Sequence, residues 1–132
     1  MKAIDVHVHV PDPPGHLAAK EKEDMAEYFG AGDLPKTAAE MAAKYKELDI
    51  FAVIFSIDAE SASGVPYIGN EYVAGVVQQY PKQFMGFASV DPWKGKMACQ
   101  ELERAVKELG LRGLKLHPTT QAFFPSDQRF YP

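Results

Sequence analysis

The sequence is short of most features that would place a protein at once. It has one cysteine, Cys99, in 132 residues. No disulfide can form within the chain, and the expected setting is a reducing, cytoplasmic one. Cys99 falls in an expected helix, where an ordinary core or surface thiol is expected rather than a nucleophile. No apolar run approaches the roughly 20 residues of a membrane span. Asp5, His7 and His9 interrupt what would be the apolar core of a secretory leader, so none is expected. Positive charge is also scarce: 14 Lys and Arg against 18 Asp and Glu leave a formal net charge of −4. Phosphate backbones need a basic surface, and the cations here are scattered among glutamates, so nucleic acid is not an expected partner. There is no repeat and no low-complexity tract. With 46% apolar and 24% charged residues, disorder is not expected either.

What the chain does have is an alternation of short β-branched runs with longer amphipathic ones. Residues 3–10 read as a strand, broken by Asp12-Pro13-Pro14-Gly15. A charged helix is expected over 17–29, ended by Gly30 to Asp33. Thr37 and Glu40 have capping-box spacing for a helix burying Met41, Tyr45 and Leu48. IFAVIFSI at 50–57 suits a strand covered on both faces. Asn70 is placed to cap a helix burying Val73, Val76, Val77 and Tyr80, closed by Pro81. A third strand is expected over 84–90. A helix follows over about 94–109, with Leu102, Val106 and Leu109 on one stripe and Gly110 at its end. RGLKLH at 112–117 makes a fourth strand, and residues 127–132 look like the start of another helix. This order predicts an α/β fold with about four parallel strands. It fits either a small open sheet or the first half of a (β/α)8 barrel of the triosephosphate-isomerase type, a fold that typically takes about 250 residues.

The chemistry gathers at strand ends. Strict alternation in IDVHVHV would put Asp5, His7 and His9 on one face and Ile4, Val6, Val8 and Val10 on the other, packed on helices. A polar face of this kind is either a solvated edge or half of a metal site, since two imidazoles one residue apart can reach a single cation. The later strands end in Asp58, in Asp91 before Pro92, and in His117 before Pro118. In parallel α/β folds ligands collect at the carboxyl ends of strands, so Asp5, Asp58 and His117 are candidates for the rim. Asp91 reads as a turn former. His16 is expected to be in solvent, and Trp93, Phe123, Phe124, Phe130 and Tyr131 are expected to pack.

These same stretches, IDVHVHV, the VDP strand end and GLRGLKLHP followed by FFPSDQRFYP, resemble the amidohydrolase superfamily. They are most similar to its amidohydrolase-related branch, which includes aminocarboxymuconate-semialdehyde and resorcylate-type decarboxylases. The resemblance covers essentially the whole chain. It implies a distorted (β/α)8 barrel with a divalent metal, usually zinc, held in part by His7 and His9. It implies hydrolysis or decarboxylation of a small carboxylated substrate. The family's further metal-binding histidine, its catalytic histidine and its last-strand aspartate have no counterpart here, and no catalytic residue is assigned. The expectation is one partial barrel domain over 1–132, incomplete as a catalyst alone. Two alternatives remain: a non-catalytic or oligomer-completed α/β domain that keeps the metal-binding strand, and a small α/β hydrolase or phosphatase using Asp5, His7, His9 and Asp58.

Overall fold

The computed structural model describes residues 1–16, 27 and 34–130. Apart from Glu27, which is helical, the helix expected over 17–29 with its Gly30–Asp33 ending lies outside the described residues, as do Tyr131 and Pro132. Strand β1 spans Ala3–His9, helix α1 Ala38–Leu48 and strand β2 Ile50–Phe55. Two helices follow, α2 over Glu60–Ser63 and α3 over Asn70–Gln79. Strands β3 (Phe84–Gly86) and β4 (Ala88–Ser89) lead to a 3-10 turn at Pro92–Lys94. Helix α4 (Lys96–Lys107), strand β5 (Leu114–Lys115) and a 3-10 turn at Gln128–Phe130 complete the order. The helix expected from residue 94 thus starts two residues later, after the left-handed Gly95.

All strand pairs are parallel, and the strands adjoin in chain order. The segment expected as one strand over 84–90 is two strands because it changes partner midway. Phe84–Gly86 pairs with β2, Phe87 N still donates to Ile54 O at 3.0 Å, and Ala88–Ser89 then pairs with β5. Such a handover between neighbours is what a staggered, curving sheet requires. The result is an α/β half-barrel, not closed within the chain.

The core lies between this sheet and α1, α3 and α4. Ala52, Ile54 and Phe84 meet Met41, Ala42, Val73, Ala74, Val76, Ala105 and Leu111 there. Ile54, Phe84, Val73 and Leu111 are almost wholly buried, each worth about 1.5–3 kcal/mol of transfer free energy. Gly86 lets α3 approach closely, since a Cβ there would stand 3.1 and 3.2 Å from Val77 Cγ2 and Val73 Cγ1 of that helix, and 2.5 Å from Leu111 Cδ2.

Several local expectations are corrected. Thr37 Oγ1 accepts from Glu40 N at 3.1 Å, but the Glu40 carboxylate reaches back to Lys36 N, one residue before the cap. Leu48 is 46% exposed, because α1 turns Ala38, Met41 and Tyr45 inward and ends at Asp49, whose φ is 57°. Val106 is 47% exposed, because α4 buries Ala98 and Ala105 and packs Leu102, with Leu109 packing just beyond its end. Asn70 does not cap α3. Gly69 holds that position and Asn70, fully buried, bonds to Ser89.

Candidate active-site rim

The alternation expected in β1 does not run through. Asp5 pairs with Ala52, yet Val8 pairs with Ile54, so β1 spends three residues where β2 spends two. This bulge changes which face each side chain meets. Asp5 lies in register with Ala52 on the helix side, where Tyr45 of α1 donates its hydroxyl to Asp5 Oδ2 at 2.9 Å. Val8 and Val10 enter the core, whereas Ile4 and Val6 are 53% and 70% exposed. The expected sharing of one face by Asp5, His7 and His9 is therefore corrected: the two histidines turn inward without the aspartate.

His7 and His9 stand side by side, ring centroids 5.5 Å apart, and both lay an edge on the buried Phe55 ring at 5.1 and 5.0 Å. Phe55 is the last residue of β2 and pairs with His9, so sheet register itself sets this floor. His7 and His9 are both exposed on this unclosed face of the sheet. Even so, desolvation of His9 among its neighbours, then the positive influence of His7, Lys115 and His117, lowers its pKa to about 4. At neutral pH it is an uncharged imidazole, the form that ligates metals.

Across the sheet β5 brings Lys115, half-buried, with Nζ 3.5 Å from His7 Nε2 and 4.7 Å from the Phe55 centroid. His117 follows on the same strand end, close enough to weigh on His9. Its Nδ1 accepts from Thr120 N at 3.2 Å, which leaves the proton of the neutral ring on Nε2. Sequence reasoning passed over Lys115, although its spacing of two from His117 in LKLHP is the strand-face signal that could have found it.

Asp58 is placed differently. Its carboxylate receives Lys94 Nζ at 2.9 and 3.1 Å and Asp91 N at 3.1 Å, so it is committed to an ion pair at the strand ends. Asp91 caps the 3-10 turn through Trp93 N at 2.9 Å, as a turn former should. Gln121, also missed, is fully buried and ties three strand ends together. It donates to Asp58 O and Val90 O at 2.7 and 2.9 Å and accepts from His117 N at 2.7 Å. Trp93, Phe123 and Phe130 pack edge to face, as expected, while Phe124 is exposed. His16 is half-buried, and Cys99 is a surface thiol.

The two imidazoles fit part of a metal's coordination sphere. Among the described residues, no group of three or more His, Cys, Asp or Glu could hold an ion, whereas a catalytic zinc takes three protein ligands.

The sequence pattern of the amidohydrolase family matches residues 4–132. The chain belongs to the amidohydrolase family. Over 64 residues it is 34% identical to the γ-resorcylate decarboxylase of Polaromonas sp. (strain JS666 / ATCC BAA-500), a stretch covering 48% of this chain and 20% of that protein. Over 63 residues it is 32% identical to the 2-amino-3-carboxymuconate-6-semialdehyde decarboxylase of Dictyostelium discoideum, covering 48% of this chain and 18% of that one. The matched stretches thus span about a fifth of these relatives. A Staphylococcus aureus crystal structure, described as an amidohydrolase, superposes with a TM-score of 0.65 at 22% identity, over 98% of this chain and 42% of that one. That likeness shows the amidohydrolase fold. No helix among the described residues is long and apolar enough to cross a membrane.

Proposed function

We propose that this chain is one partial barrel domain, the metal-binding first portion of an amidohydrolase-family hydrolase or carboxy-lyase. It acts in the cytoplasm on a small carboxylated substrate. The observation that carries the reading is the inward-turned pair of His7 and His9 on the buried Phe55 ring, at the carboxyl end of β1. Decarboxylases among the relatives support the carboxylated substrate.

His7 and His9 would hold the divalent metal, zinc in this reading because it accepts imidazole donors. When bound, such an ion supplies Lewis acidity and a bound water of lowered pKa. The remaining work belongs to the chain's own groups. Phe55 keeps the two rings parted and oriented, Lys115 places positive charge beside them, and His117 offers its Nε2 proton at the rim. Two such ligands among the described residues are fewer than the three a catalytic zinc takes, and on this reading the domain is incomplete as a catalyst alone. Zinc titration by calorimetry against the unmutated chain and the His7→Ala/His9→Ala variant tests the reading. Binding in the first and none in the second is expected, and equal affinities would overturn it.

A second reading, completion by another chain, is favoured by the exposed apolar residues Ile4, Val6 and Met85 and by β1 at the sheet's edge. A strictly monomeric, folded chain in sedimentation equilibrium would count against a self-completed oligomer.

A further inference from the structure

Lys115 stands in an electrostatic position that nothing in the fold requires. It is half-buried, its ammonium lies against an imidazole and an aromatic ring, and no carboxylate among the described residues pairs with it. Lys94 and Arg104, the other half-buried cations among the described residues, are each matched to aspartate or glutamate. The Phe55 ring attracts the cation through its π-face but brings no negative charge. A partly desolvated cation without an anion retains a strong attraction for one.

Geometry holds the side chain there. Lys115 pairs with Ser89 on β4, whose main chain and hydroxyl are tied to Asn70 and Asp58. Just ahead of β5, Gly113 is in close contact with the Phe87 ring, which a Cβ would meet at 2.6 Å. Strand β5 therefore has little freedom to carry Lys115 away from the histidines.

We propose that Lys115 is the specificity-determining residue of this site, its ammonium being the seat of the substrate's carboxylate beside the histidine pair. This rests on the functional reading above but does not need the metal to be tested. The probe is benzoate, with benzamide as its uncharged counterpart, titrated into the metal-free 132-residue chain and followed by NMR. Saturable benzoate binding and none by benzamide are expected. Lys115→Met should weaken benzoate about tenfold, the loss of one charge-assisted bond, while Lys115→Arg stays within about threefold. Benzoate affinity unchanged in folded Lys115→Met, or benzamide binding as well as benzoate, would overturn the proposal. Should that variant not fold, the Lys115 side-chain resonances of the unmutated chain decide, because they must shift on benzoate addition. Zinc titration of the His7→Ala/His9→Ala variant reports separately, so failure of the metal site and failure of the carboxylate seat are distinguishable.

Discussion

Tyr45 and Asp5 are joined by a 2.9 Å hydrogen bond across the face of the sheet that carries the helices. The bond lies just ahead of the bulge. Asp5 Oδ1 also accepts from His7 N at 3.1 Å, turning the chain so that the next two polar residues face the other way. A carboxylate that looked like a third member of a metal site is instead what sets the histidine pair apart from the helix layer.

Removing that hydroxyl has an outcome with a pH signature. Tyr45→Phe should cost about 1 kcal/mol at pH 7, a partly exposed bond to a carboxylate. Burial first, then the hydrogen bond to Asp5 and its charge, push the Tyr45 pKa from 10.0 up to about 12. A pKa raised in the folded state stabilises below the unfolded value. That contribution is complete below pH 10 and lost as pH rises through 12. Urea midpoints of the two proteins should therefore converge above pH 10, and a constant gap up to pH 12 would contradict the assignment.

The parallel pairing of the strands and the HxH pair were legible in the sequence, because hydrophobic period and strand-end residues are local signals. The bulge was not. One extra residue between Asp5 and Val8 leaves the alternation of IDVHVHV intact on paper and reverses its faces in space. Asn70 and Gln121 were misread or missed for a related reason. Their roles depend on which strand ends come together, and neither residue type announces a buried network. Lys115 lay within reach, since a lysine two residues before a strand-end histidine must share its side of the sheet.

Lys94 should behave as a structural counterion. Asp58 is nearly buried, with a side chain 5% exposed, and Lys94 Nζ is 2.9 Å away. Lys94→Met strands that carboxylate and should destabilise by roughly 1–3 kcal/mol, less than a fully buried pair because the lysine is 29% exposed. The double variant Lys94→Met/Asp58→Asn should recover much of the loss. The same lysine, with Tyr67 N, holds the Glu60 carboxyl below its ordinary value of 4.5. That stabilisation is present above 4.5 and disappears as pH falls through the lowered value. Denaturation followed from pH 6 to pH 3 should show a shallower acid loss in Lys94→Met, and an unchanged acid branch would count against the ion pair.

Gln121 offers the sharpest test of how the rim is held. Its side chain satisfies two carbonyls and the His117 amide from a position with no solvent access. Gln121→Leu keeps the volume but leaves those three main-chain groups without partners. Each unmade buried bond costs about 1–3 kcal/mol, so even with relaxation the variant should lose on the order of 3 kcal/mol. Because the lost acceptor is the one fixing His117 N, the effect should also be local. Amide hydrogen exchange at His117 should accelerate by more than the global stability change explains, while Ala52 and Ile54, deep in β2, track the global change alone. Equal acceleration at all three sites would show that Gln121 serves general packing rather than the positioning of the β5 end.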